Sequence, residues 1–277
     1  MEAAKQMSAR DDLRRVAYRR QPAHSVSRVG EMPRQASAGS GKRAGRANMN
    51  ASPRRWARWA GLFYLITIVM GVFAEVFVRG RLIVRKDAAA TAANILEHER
   101  LYRLGLAADL VMLVAYVAVT LLLYALLKPA GRNLSLLAAF FSLIGIAVLA
   151  VNSLTHLAPL LLLKQTPPAQ ELALFSLSLH GRGYAIAGVF FGVYCVLVGY
   201  LAFRSRLIPR IVGVLMAIGG VAYLIDSFTG FLSPTLAVRL PDVTVLGGAG
   251  ELALTLWLLV MGVNVGKWEE LSIENRS

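Results

Sequence analysis

Charge is what this sequence has least of. Only 17% of its 277 residues are Asp, Glu, Lys or Arg, against roughly 25% in an average soluble domain, and no formally charged side chain occurs between Leu134 and Leu163. With 56% hydrophobic residues and a mean hydropathy of +0.56, the chain falls outside the ordinary soluble class and reads as a membrane protein. There is a single cysteine, Cys195, which excludes an intrachain disulfide and a thiolate zinc cluster and leaves the redox compartment open. Histidine is also scarce, at four residues, and no HxxxH or HExxH spacing occurs among them. No Gly-x-Ser-x-Gly elbow is present, so the nucleophile turn of the serine hydrolases is excluded. The stretch GSGKRAG resembles a phosphate-binding loop, but it lacks the Ser or Thr after Lys42 and follows no strand, so it is set aside.

What charge there is lies mostly at one end. Residues 1–58 hold fourteen of the thirty Lys and Arg and four of the sixteen acids, hence ten of the net fourteen positive charges. Residues 1–55 read as a disordered basic cytoplasmic tail, because a segment so poor in apolar periodicity cannot bury enough surface to offset its ordering entropy. Its partner is expected to be an anionic lipid surface and not nucleic acid, since its arginines carry almost no interleaved aromatics. Met49 opens MNASPRRWARWAGLFYL, which has the form of a natural start with a basic flank before a first span.

Six segments reach the roughly 20 residues that a bilayer requires: 57–78, 104–127, 135–159, 183–203, 211–232 and 247–266. The expected fold is therefore all-α, a polytopic bundle of six transmembrane helices over residues 56–266, with a short C-terminal tail at 267–277. A signal peptide ending at GVFA is the weaker reading of the first segment. In the first loop, Asp87 can cap a short interfacial helix that turns Ile95, Leu96 and Tyr102 to the membrane and Glu97, His98 and Arg100 to water. Counted near the span ends, thirteen Lys and Arg fall on the N-terminal side of the membrane and nine on the other. That bias places both termini in the cytoplasm and the protein in the inner membrane.

Once each span has a direction, helical rise gives the depth of every polar residue. Glu75, Asp109, Asn152, His156, Asp226 and Glu251 come from five spans and fall at one level, roughly 5 to 8 Å below the outer boundary. Asn152 and His156 lie four residues apart and so share a helix face. Buried ionisable groups in a bilayer cost about 2.5 to 3.5 kcal/mol or more and tend to pair or mark a pathway, so these six are expected to line an outward-facing polar cavity, with Arg103 and Arg182 as counter-charges. Mutual capping that merely holds the bundle together is the structural alternative. The leading functional expectation is a non-enzymatic one, binding or moving a small solute, cation or proton. An intramembrane metal-dependent hydrolase of lipid-like substrates and a structural or sensing subunit are the alternatives. No metal or other cofactor is expected, because only one histidine falls within the spans; the small-molecule ligand is not specified. Gly188, Gly192 and Gly199 on one side of span four indicate close helix packing.

Several segments, taken in order, resemble one family. They are RWAGLFYLI, DAAATAANIL followed by YRLGLAADL, LLLYALLKP, HGRGYAIAGVFFGVYCVLVGYL, FRSRLIPRIVGVLMAIGGVAYLIDS and ELALTLWLLVMGVN. Over about residues 56–265 the chain is similar to the bacterial multi-pass membrane proteins of domain of unknown function 4386. The resemblance implies a six-helix membrane domain and brings no activity, substrate or catalytic residue with it.

Overall fold

The computed structural model describes residues 52–239 and 241–274. The basic tail, with its Met49 start and its contact to anionic lipid, lies outside the described residues, as do the last three positions.

Helix α1 (Pro53–Leu82) opens with a proline at its first turn, where the missing N–H would have had no intrahelical partner. Its inward face follows helical spacing through Ala57, Ala60, Gly61, Tyr64 and Thr67. From Phe73 to Arg79 the helix widens into a π-helical stretch that turns Ala74, Val78 and Arg79 inward. Gly105 on the facing helix makes room for that wide turn, since a Cβ there would sit 2.8 Å from Val78 Cγ1. α1 thus runs past the expected end at residue 78 and carries Arg79 into the bundle.

The loop helix α2 (Ala88–Glu97) is capped by Asp87, whose Oδ1 accepts from the Ala90 N–H at 2.8 Å. Ile95 and Tyr102 are fully buried, while Leu96 is exposed. Ala92, Ile95 and Tyr102 pack with Leu160, Leu163, Ala173 and Leu177, so the apolar face of α2 closes one end of the bundle where membrane contact was expected.

Four further long helices follow: α3 (Glu99–Leu127), α4 (Arg132–Leu162), α5 (Gln170–Ser205) and α6 (Arg210–Leu232). Pro159 lies three residues before the end of α4, where it marks the exit of the helix and not a central kink. α5 begins thirteen residues earlier than the apolar run suggests, because its first turns pack on other protein. After the short α7 (Pro234–Arg239), α8 (Thr244–Val260) spans 17 residues. The chain then bends by 98° into α9 (Val265–Glu274).

Five helices are long and apolar enough to cross a membrane, and there are six if the bent pair α8 and α9 forms one span. No strand occurs among the described residues. Large apolar side chains such as Val114, at 74% exposure, and Val151, at 68%, stand outward on these helices. In water such a surface would drive aggregation, and in a bilayer it is solvated. The protein is an all-α polytopic membrane bundle.

The closest approach of backbone to backbone at a glycine joins α5 to α6 through reciprocal pairs. A Cβ on Gly199 would lie 2.5 Å from the Gly213 carbonyl oxygen, and one on Gly220 would lie 2.5 Å from that of Gly192. Because the atoms in the way are backbone, only separation of the helices relieves the overlap. Gly199→Ala is expected to destabilise the bundle by about 1–3 kcal/mol, seen as a lower thermal midpoint in mild detergent; Gly248→Ala, which meets nothing within 4 Å, leaves the midpoint unchanged.

Candidate functional site

The polar residues of the bundle gather into two centres. The first is built on an ion pair. Arg79 from the π-helical stretch of α1 donates from Nη1 to Asp109 Oδ2 at 2.6 Å, with both side chains nearly closed to solvent, at 6% and 3% exposure. Its Nε donates to Glu75 Oε2 at 2.8 Å, and Glu75 itself stands outward with 67% of its side chain exposed. Taking a guanidinium out of water costs several kcal/mol unless its charge and its N–H groups are met, and these carboxylates meet both needs.

His156 on α4 completes this centre. Its Nδ1 lies 2.8 Å from Asp109 Oδ2 and 3.3 Å from Arg79 Nη1. Asp109 accepts and Arg79 only donates, so Nδ1 carries the proton and bonds to the carboxylate. Tyr102 holds the same residue from α3, donating to the His156 carbonyl at 2.6 Å and meeting its ring edge-on at 4.7 Å.

On α5, His180 lies beside His156 with ring centroids 5.0 Å apart. Its Nδ1 donates to the Asn152 carbonyl at 3.1 Å, while the Asn152 amide donates to the His180 carbonyl at 2.8 Å. This crossed pair needs Gly183, since a Cβ there would fall on the Asn152 amide. One ligand atom from each of Asp109, His156 and His180 lies within 4.8 Å of the other two.

The second centre surrounds Glu251 on α8. Oε1 accepts from the hydroxyls of Tyr64 at 3.1 Å and Tyr116 at 3.2 Å, and Oε2 accepts from Tyr223 at 3.3 Å. The Cys195 thiol is 3.8 Å from Oε1. These four donors come from α1, α3, α6 and α5, and none is charged; Glu251 makes no ion pair with any described residue.

Glu251 lines a cavity of about 470 Å³, shared with Asp226, Tyr116, Tyr184, Phe191 and Tyr223. Among the described residues, no Lys, Arg or His lines it. Tyr184 belongs to both centres. Its hydroxyl lies 3.4 Å from Asp109 Oδ1 and 3.5 Å from Arg79 Nη2, its ring packs edge-on against His180 at 5.2 Å, and it forms part of the cavity wall.

The six side chains expected in one layer thus divide. Asp226 and Glu251 line the cavity; Asp109, His156 and Asn152 lie in the buried centre outside its lining; Glu75 faces outward. The counter-charge is Arg79. Arg103 pairs instead with the half-buried Glu99 at 2.6 Å, and the exposed Arg182 donates to the Gly230 carbonyl at 3.2 Å. The expectation of a single histidine in the spans fails because α5 starts early enough to bring His180 inside.

Hydropathy could not have found these partners. Arginine ends an apolar run whether or not the helix continues, so Arg79 counted as loop, and its i,i+4 spacing from Glu75 was the one available signal. The phenols around Glu251 score as ordinary aromatic residues.

Arg79→Met leaves Asp109 buried without its cation, and the expected loss is about 3–5 kcal/mol. Thermal unfolding should show the double variant Arg79→Met/Asp109→Leu recovering at least half of that loss; a double variant as unstable as the sum of the single ones would mean that the pair is not coupled.

An uncharacterised protein from Archaeoglobus fulgidus is 29% identical to this chain over 146 residues, which cover 53% of the chain and 76% of that protein. No solved structure matches the chain. The model of the family described as a domain of unknown function, DUF4386, matches residues 59–262, which hold both polar centres, and the chain belongs to this family.

Proposed function

We propose that the protein binds a small organic cation in the cavity beside Glu251, and that this site serves its uptake or passage through the bundle. The observation that carries this reading is a carboxylate with hydrogen bonds and no counter-charge. Three phenols and a thiol stand at Glu251 as neutral hydrogen-bonding partners and bring no positive charge, so a cation entering the cavity would supply the one partner that its carboxylate form lacks. A second carboxylate, Asp226, faces the same space. The walls add aromatic rings, Tyr116 stacked on Phe191 at 4.9 Å among them, and aromatic faces attract cations by about 0.5–2 kcal/mol. The volume suits a compact ligand, since small-molecule sites commonly enclose about 300–1,000 Å³.

A lipid hydrolase finds less support. Asp109, His156 and His180 do not line the cavity, so a substrate held there would not meet them. The basic N-terminal tail is assigned to the anionic cytoplasmic face of the inner membrane, with the cavity opening towards the outside.

Benzyltrimethylammonium and its neutral carbon isostere, neopentylbenzene, separate charge from shape. Purified protein is expected to bind the ammonium compound in preference to the isostere, and Glu251→Gln should weaken that binding roughly tenfold to a hundredfold, about 1.4–2.8 kcal/mol. Tyr223→Phe, which removes one neutral donor, should weaken it only a few-fold. Equal affinity for the two compounds, or an unchanged affinity in Glu251→Gln, would sink the proposal.

The orientation is checked by labelling. In a Cys195→Ala background, Glu97→Cys should react with a membrane-impermeant maleimide on intact cells, whereas Glu269→Cys should react only after lysis.

A further inference from the structure

We propose that His156 and His180 form a binding site for a late first-row transition-metal ion, copper or zinc, held through imidazole nitrogen. The proposal concerns the buried centre and does not depend on the cation cavity.

Both imidazoles have one nitrogen committed and the other bare. His156 donates from Nδ1 to Asp109 at 2.8 Å and His180 donates from Nδ1 to the Asn152 carbonyl at 3.1 Å. In the neutral imidazoles Nε2 of each ring then carries a lone pair. Both Nε2 atoms are buried without a hydrogen-bond partner, in residues at 0% and 4% exposure. Metal-ligating histidines characteristically donate their second ring nitrogen to a carboxylate or a backbone carbonyl, which sets the tautomer and makes the free nitrogen more basic. Here one ring has each kind of partner.

A solely structural role would leave two buried acceptors unmet, at a cost of about 1–3 kcal/mol each. An ion that prefers nitrogen satisfies both at once. The two rings stand side by side with centroids 5.0 Å apart, and one ring nitrogen of each lies within 4.8 Å of the other and of a carboxylate oxygen of Asp109, so both imidazoles border one small buried space.

Arg79 beside the site would ordinarily repel a cation. Its single positive charge, however, is opposed by both Asp109 and Glu75. With neutral histidines the cluster is left with one net negative charge, which a monovalent copper ion cancels and a divalent zinc ion exceeds by one. Tyr184 separates this centre from the cavity, packing on His180 while lining the cavity wall, and so marks the route of entry.

The test uses the full chain, purified in mild detergent and equilibrated separately with Zn²⁺ and with Cu⁺ under reducing conditions. One ion per chain is expected, with absorption-edge fine structure reporting imidazole nitrogen as ligand. His180→Ala should abolish stoichiometric binding, and Asp109→Asn should weaken it roughly tenfold to a hundredfold. His180→Gln, which keeps a polar side chain beside Asn152, is the companion variant if the alanine protein does not fold, and it too should lose the ion. Glu251→Gln should retain the ion, which separates this result from failure of the cation cavity. The proposal is overturned if neither metal binds stoichiometrically, or if binding survives in the folded His180 variants, as it would for an ion held by the N-terminal tail.

Discussion

A guanidinium within an apolar bundle has to be met by carboxylate, and the contact between Arg79 and Asp109 is the one on which much of this structure rests. It ties α1 to α3 at 2.6 Å, and the π-helical stretch Phe73–Arg79 turns Arg79 inward to make it. It also orders what surrounds it. Asp109 fixes the proton of His156, Tyr102 holds the His156 backbone, and Gly105 yields space to the wide turn. A hydrophobic pair would pack these helices with less desolvation cost. What the ion pair adds is a defined rotation of α1 about its axis and a defined tautomer on α4.

The two centres are complementary in what they lack. Around Arg79 the charges are largely matched, while two imidazole nitrogens have no partner. Around Glu251 the hydrogen bonds are met by neutral donors, and no described side chain supplies a positive charge. The two ligands proposed, a nitrogen-seeking ion for one centre and an organic cation for the other, answer these different deficiencies. Tyr184 touches both centres and is the side chain through which they meet.

Much of the architecture was legible in the sequence because hydropathy and helical period act over many residues at once. The long apolar runs, the cap at Asp87, the end of α4 near Pro159 and the close approach signalled by Gly192 and Gly199 all depend on local chemistry. Helix ends were less legible. α1 and α5 extend beyond their apolar windows because their additional turns are buried by protein contacts, which leave no trace in a hydropathy average. The bend after Val260 was missed for a related reason, since α9 continues the helical pattern while changing direction by 98°.

By itself the sequence determined that this is a helical membrane bundle, because length and hydropathy are additive along the chain, and rise per residue led to the expectation that its polar residues share one level of several helices. Only the tertiary structure decided which of those residues meet. Equal depth does not imply an equal bearing around a helix axis, so Asp109 and His156 joined Arg79, Asp226 and Glu251 shared the cavity, and Glu75 turned outward. The division of these residues between two centres follows from how the helices are rotated against their neighbours, a choice made by the packing of distant side chains.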